Sequence, residues 1–182
     1  MSRALTGAGL GPESVRKGRV FIRSPELSDQ REFLAAVRRS RALHHPWVRA
    51  PDTPALFRRY VARSAQPGQC GLLACRRDDG AVVGTFNISN MVMGPFCSAF
   101  LGYYAFAGQE RQGLMREGLQ AVVRHAFKRL KLHRLEANIQ PGNAASIALA
   151  RSCGFVLEGY SPRYLKIGGR WRDHERWAIR AS

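Results

Sequence analysis

Residues 96–139 read FCSAFLGYYAFAGQERQGLMREGLQAVVRHAFKRLKLHRLEANI, and the changes of periodicity within them decide the fold. Phe96–Phe106 is an apolar, aromatic-rich run of strand character, and Gly108 and Gly113 punctuate the turn that follows. From Leu114 to Leu130, the residues Leu119, Val122, Val123, Ala126, Phe127 and Leu130 recur at the spacing of one helix face. Leu132–Ile139 then alternates, with Leu135, Ala137 and Ile139 on one side and Arg134, Glu136 and Asn138 on the other. Strand, turn, long helix and strand make a crossover between parallel neighbours, a connection that is right-handed as a rule.

Upstream, Gly71–Cys75 and Ala81–Ile88 are apolar runs joined by Arg77-Asp78-Asp79-Gly80, and Asp-Gly between such runs signals a hairpin. With Phe96–Phe106 they form an antiparallel meander. Arg19–Arg23 alternates like a strand, Ser24-Pro25 breaks it, and Ser28, Asp29 and Glu32 signal a helix whose apolar stripe is Phe33, Leu34 and Val37. Arg41–Asp52 reads as irregular, after which Thr53 caps a second helix carrying Leu56, Tyr60 and Val61. Downstream, Asn143 as N-cap and Gly154 as stop frame a helix over Ala144–Cys153, and Phe155–Ile167 and Trp171–Ile179 pair about Gly168-Gly169. The order β-α-α-β-β-β-α-β-α-β-β predicts an α/β (α+β) chain with a mixed central sheet. It is not the repeated strand-helix alternation of a doubly wound dinucleotide fold. No repeat or low-complexity segment interrupts it, so residues 19–182 are expected to be one domain, preceded by a loose tail over 1–18 that lacks the pattern of a signal peptide.

Composition narrows the function classes. The longest apolar runs, such as Leu72-Leu73-Ala74, are far short of the roughly 20 residues that cross a bilayer, so no membrane segment is expected. Cys70, Cys75, Cys97 and Cys153 are irregularly spaced, and neither they nor His44, His45 and His133 fall at metal-ligand spacing. Reduced thiols, no metal and a cytoplasmic location are the expectation. The chain carries 29 Lys and Arg against 13 Asp and Glu, a net charge of +16. A field of that sign draws in phosphorylated cofactors, RNA-bearing particles or acidic protein surfaces and repels polycations, unless it is no more than the solvated surface of an Arg-rich protein.

Gln109-Glu110-Arg111-Gln112-Gly113-Leu114-Met115 lies between a strand and the strongest helix. A helix N-terminus carries partial positive charge and unpaired N–H donors, so this turn suits a phosphate or pyrophosphate. Gly113 lets a ligand approach closely, and Arg111 and Arg116 flank the turn. The dinucleotide Gly-x-Gly-x-x-Gly fingerprint and the Walker pattern are both absent, and a turn with one glycine is as compatible with a structural role.

From Val82 to Trp177 the sequence resembles the GNAT superfamily of N-acetyltransferases, and within it the bacterial ribosomal-protein-alanine N-acetyltransferases of the RimJ kind. The resemblance is carried by Gly84-Thr85-Phe86-Asn87-Ile88-Ser89-Asn90, Leu101-Gly102-Tyr103, the turn ending Gln112-Gly113-Leu114-Met115, Asn143-Ala144-Ala145-Ser146 with Gly154-Phe155, and Glu158-Gly159-Tyr160 through Trp171-Arg172-Asp173-His174. It implies acetyl-CoA as cofactor and a primary amine as acceptor. It also implies that the Ala105 and Phe106 backbone pairs with the pantetheine arm and that the amides of Arg111, Gln112, Gly113, Leu114 and Met115 hold the pyrophosphate. Asn143 and Ser146 then approach the pantetheine and the departing thiol, with Arg151 near the 3′-phosphate. Three positions depart from the family pattern: the pyrophosphate turn begins with the acid Glu110 and ends with Met115, a residue familiar there in the RimJ kind, and Arg163 stands where relatives place a carboxylate before the tyrosine of the Tyr164-Leu165 strand.

Direct acetyl transfer needs a base for the amine proton and an acid for the thiolate. By the resemblance Ser146 is the acid, although a Ser three residues after an N-cap also serves as a helix-end solvating group. Glu136 is the base in place of the missing carboxylate, or else a salt-bridged structural residue. Trp47, Asn87, Asn90 and Tyr164 are the candidates for an acceptor groove, with core packing as the other reading of Trp47. The expected acceptor is the N-terminal Ala or Ser of a protein, in particular a ribosomal protein reached by docking on the ribosome or its RNA, with the enzyme a monomer or homodimer. Small-molecule amine acetylation and a non-catalytic RNA-binding module are the alternatives. Arg124, Lys128, Arg129 and Lys131 give the second of these a basic helix edge but no interleaved aromatics.

Overall fold

The computed structural model describes residues 18–181; the expected loose tail therefore lies, apart from Gly18, outside the described residues. One seven-stranded sheet runs β1 (Val20–Arg23), β2 (Cys70–Arg76), β3 (Val82–Val92), β4 (Ser98–Ala105), β5 (Arg134–Ile139), β7 (Arg170–Arg180) and β6 (Val156–Ile167) across its width. Every neighbouring pair is antiparallel except β4 and β5. Among the described residues five α-helices accompany it: α1 (Gln30–Arg39), α2 (Arg41–His44), α3 (Pro54–Ser64), α4 (Leu114–Lys128) and α5 (Ala144–Ser152). The predicted mixed sheet and its crossover are present. Two local details differ from the sequence reading. A single turn of helix, α2, occupies the start of the stretch expected to be irregular. The entry to α1 is organised by Asp29 rather than Ser28: Asp29 accepts the Glu26 N–H at 2.8 Å and pairs with both terminal nitrogens of Arg23. The Thr53 cap forms as predicted, its hydroxyl accepting the Leu56 N–H at 3.2 Å.

Strand β2 explains why the sheet needs helices on both sides. Leu72, Leu73, Ala74 and Cys75 are all fully buried, and alternation sends Leu72 and Ala74 into one core and Leu73 and Cys75 into the other. The first core lies under α4 and gathers Phe86, Leu119, Val122, Ala126, Leu135 and Trp177. The second lies under α1 and α3 and is an aromatic cluster in which Phe33 stacks among Phe57, Tyr60 and Phe106.

Helix α4 crosses the sheet closely at Gly118. A Cβ there would stand 3.0 Å from the Phe86 ring and 3.1 Å from the Ala74 methyl, so a hydrogen is what the gap accommodates. Gly118→Val is expected to overpack this contact and lower stability by about 1–3 kcal/mol in chemical denaturation. An unchanged midpoint would show that α4 is free to lift from the sheet.

Candidate active site

The parallel pair β4/β5 holds together for three residue pairs, Ser98–Arg134, Ala99–Leu135 and Phe100–Glu136, and then parts. Beyond that point β4 continues to Ala105 and β5 to Ile139 with no ladder between them. The Phe106 N–H bonds back to Val83 at 2.8 Å, so strand alternation turns the polar groups of Ala105 and Tyr103 the other way, into the gap. The gap opens into a cavity of about 980 Å3 lined by both strands, the 109–116 turn, the start of α5 and the His44–Val48 segment. The Ala105 carbonyl is already engaged there: it accepts from His44 Nε2 at 2.8 Å. Because a carbonyl only accepts, Nε2 carries the hydrogen, and burial holds this imidazole below the ordinary histidine value.

At one end of the cavity stands the N-terminus of α4. Gly113 is its N-cap with φ of +77°, a left-handed conformation that costs any residue with a Cβ, and Arg111 takes φ of +59° beside it. The first bond of the helix runs from Glu117 N–H to Gly113 O. Among the described residues no protein acceptor takes the N–H groups of residues 111–116, which leaves a cluster of orphan donors at the positive end of a fifteen-residue helix. The turn is braced from within. Glu110 accepts the Gly108 N–H at 2.7 Å, Gln112 Nε2 donates to the Gly108 carbonyl, and Arg19 bridges the Gln112 carbonyl to the Glu117 carboxylate. The acid that departs from the family pattern is thus folded onto its own loop.

The other end carries the proton-handling groups. Ser146 Oγ donates to Tyr103 Oη at 3.1 Å, and Tyr103 donates to the Ser146 carbonyl at 3.0 Å, so the two hydroxyls form one unit at the first turn of α5. Burial pushes the Tyr103 phenol up to about 12, which keeps it protonated. Asn143 caps α5 by accepting the Ser146 N–H at 3.2 Å. Across the cavity, His174 is buried, its Nδ1 paired with the Arg172 carbonyl at 2.9 Å. That bond fixes the hydrogen on Nδ1 and leaves Nε2 with a lone pair. Desolvation holds this ring, too, below the ordinary histidine value, so it is neutral at physiological pH. The Asn138 Oδ1 atom is buried at the cavity wall without a protein partner.

Of the residues singled out from sequence, Ala105, Arg111, Gly113, Met115, Arg116, Asn143 and Ser146 line this cavity together with Trp47 and Asn87. Trp47 is half-buried rather than sealed in the core, its ring lying over Gly142. Leu114 is turned into the core and Gln112 back onto the loop, and neither lines the cavity. Five expectations need correcting. Phe106 is buried and its N–H is spent on β3, so only the Ala105 side of that pair faces the gap. Glu136 lies outside the cavity, ion-paired with Arg134, which also holds Glu158. Arg151 lies outside the cavity lining, its guanidinium over the Trp177 ring. Asn90 is exposed with φ of +52° at the irregular end of β3, beside a separate and smaller pocket that Asn87 shares. Tyr164 does not line the cavity but packs edge-on against His174 at 6.2 Å.

Tyr103, Asn138, His174 and His44 belong to the site, and the sequence reading assigned none of them. Tyr103 and His174 stood inside the motifs that carried the resemblance, and a histidine on a strand between Arg172 and Arg176 was the available signal. His44 depended on packing across 61 residues and left none.

The acetyltransferase (GNAT) domain model matches residues 19–156. The probable N-acetyltransferase YjcK of Bacillus subtilis is 29% identical over 168 residues, 88% of this chain and 93% of its own. The [ribosomal protein uS5]-alanine N-acetyltransferase of Escherichia coli is 40% identical over 102 residues, 56% of this chain and 53% of that enzyme, so the match spans about half of it. Mycobacterium smegmatis RimJ in complex with CoA-disulfide superposes with a TM-score of 0.82 at 26% identity, covering 89% of this chain and 82% of that one. A split parallel pair with a helix N-terminus at its mouth, under a family model that spans most of the chain, makes this protein a member of the acetyl-CoA-dependent GNAT N-acetyltransferase family.

Proposed function

We propose that this chain acetylates the α-amino group of a protein N-terminus beginning with Ala or Ser, a ribosomal protein being the class that its relatives favour, and that residues 19–182 are the one cytoplasmic catalytic domain that does so. The observation that carries this is the cleft itself. One end offers the N–H donors of the 111–116 turn with Arg111 and Arg116, as a pyrophosphate requires, beside one acid, Glu110, bonded back to the Gly108 N–H; the other offers neutral acceptors, as an uncharged amine requires. The mouth between them is rimmed by the apolar side chains of Leu43, Trp47, Val48, Leu165 and Ile167, of which Leu43 and Leu165 are well exposed. Such a rim suits a chain of small side chains better than a polycation, which the +16 charge repels.

Acetyl-CoA supplies the activated acyl group and a thiolate leaving group. The residues suited to hold it are the amides of 111–116 with Arg116, and the strand edge of Tyr103 and Ala105. His174 accepts the proton of the attacking amine at Nε2, while its Nδ1 bond to Arg172 keeps the tautomer fixed. Asn138 Oδ1 and Asn87 orient the amine before attack. Ser146 gives its hydroxyl proton to the sulfur, turning away from Tyr103 Oη to do so, and takes a proton back from solvent; Tyr103, held by the Ser146 carbonyl, fixes the position of the serine.

Incubation with acetyl-CoA and a panel of N-terminal peptides is expected to give a mass gain on Ala- and Ser-starting peptides; acetylation confined to free small amines would refute the reading. In Gly113→Glu, the melting point measured alone and with acetyl-CoA is expected to show no ligand-induced rise, and a rise equal to the parent's would displace the pyrophosphate from this turn. His174→Gln is expected to lower kcat/KM by about 10²–10⁴-fold. The sign of its pH dependence follows from the lowered histidine. In the parent the peptide amine protonates first, below about 8, and His174 follows only under the ordinary histidine value because its ring is held lower, so the acid limb steepens there. The variant should retain the single slope of the amine, and an unchanged steep limb would remove His174 from the proton path.

A further inference from the structure

A second cavity, of about 950 Å3, adjoins the first and shares the walls His44, Val48 and Ile167 with it. Its lining is unusual in charge. Arg41 of α2, Arg49 of the following loop, Arg59 and Arg63 on one face of α3, and Arg170 and Arg172 of β7 all border it, against a single carboxylate, Asp52. The ion pairs among the described residues involve Arg19, Arg23, Arg76 and Arg134, so none of these six is ion-paired among the described residues. Arg23, by contrast, is forked onto Asp29, and Arg134 is held between Glu136 and Glu158. Six uncompensated guanidinium groups, contributed by four separate segments to one concave surface, repel one another and lower the cost of bringing in anions.

We infer that this pocket receives the acidic side chains of the acceptor polypeptide a few residues after its N-terminus, so that the enzyme selects N-termini followed by Asp or Glu. The inference rests on the peptide reading of the transfer cleft. A chain whose first residue sits beside His174 leaves past Leu165, Ile167 and Val48, and the last two open onto the arginines. Guanidinium groups bind carboxylates through paired, charge-assisted hydrogen bonds, and a recess with the transfer cleft for a neighbour fits side chains of the molecule being acetylated rather than a separate polyanion. The arrangement also separates recognition from chemistry, because the arginines lie outside the cavity that holds Ser146 and His174.

The test uses the full chain and Ala-starting peptides with Glu placed singly and in pairs at positions two to eight, each beside its Gln counterpart. Acidic peptides are expected to exceed the Gln counterparts in kcat/KM by about tenfold or more at low salt, with the advantage shrinking as salt is raised. In the double variant Arg59→Gln, Arg63→Gln the advantage should collapse while the rate on Gln peptides stays at the parent level. Equal rates on acidic and Gln peptides in the parent would overturn the inference and leave the peptide reading standing. Acetylation of no peptide of either charge would overturn both. A labelled RNA bound tightly by the parent and released by the double variant, with no preference among peptides, would reassign the arginines to phosphate and also overturn it.

Discussion

Everything in this molecule that bears on chemistry depends on β4 and β5 being parallel neighbours for three residue pairs and no further. A parallel pair cannot be joined by a tight turn, so the chain must leave the end of β4, cross the sheet as a helix and return. The helix that makes the crossing necessarily begins near the point where the strands have begun to separate. The separation leaves strand polar groups unpaired, and the helix start leaves N–H groups unpaired. Both deficits face the same cavity, which is why a ligand with a long amide-bearing arm and a diphosphate at its end fits a site with few charged side chains.

That geometry is held from behind by dispersion contacts and in front by a braced loop. The close pass of α4 over Phe86 and Ala74 sets the depth of the helix, and the long apolar face of α4 over Leu135, Val83 and Leu72 sets its direction. In front, Arg19 pins the Gln112 carbonyl and the Glu117 carboxylate, and Glu110 closes on the Gly108 amide. These exposed bonds are individually worth little. Their effect is to engage Glu110 and the Gly108 and Gln112 carbonyls within the loop, while the N–H groups of 111–116 stay without a protein acceptor among the described residues. Glu110 is accommodated in this way, and its charge is spent inside the loop.

Periodicity made the fold legible. The alternation of Leu135, Ala137 and Ile139, the helical spacing from Leu119 to Leu130 and the Asp-Gly hairpin each report a local rule that the tertiary structure leaves intact, and the caps at Thr53 and Asn143 formed where side-chain chemistry put them. Sequence order could not disclose that β7 inserts between β5 and β6, because the same hairpin pairs equally well on either side. The backbone half of the site was readable for the same reason as the fold, since a helix N-terminus is a local object. The side-chain half was not. Glu136 and Asn138 share a strand face, yet Glu136 is captured by Arg134, and only the next position up reaches the cavity. His174 and Tyr103 are held by hydrogen bonds to partners 2 and 43 residues away, and such pairings are set by register and packing.

The charge of the chain takes on a structure of its own once its pairs are separated from its surplus. Arg23 with the buried Asp29 ties β1 to the start of α1, Arg134 with Glu136 and Glu158 ties β5 to β6 across β7, and Arg19 with Glu117 ties the chain before β1 to α4. The last two join segments distant in sequence, and the first two involve half-buried groups, where a fixed partner matters more than on an open surface. Of the arginines that form no ion pair among the described residues, six share the one recess beside the transfer cleft. A positive surface kept only for solubility has no reason to gather its unpaired charge in a concavity, where repulsion between like groups is strongest. A concavity is, however, where several guanidinium groups converge on one short stretch of a ligand. A basic protein whose N-terminal segment happens to be acidic would then meet no barrier from the +16 field, because the enzyme reads the charge of the few residues it grips, not that of the whole substrate.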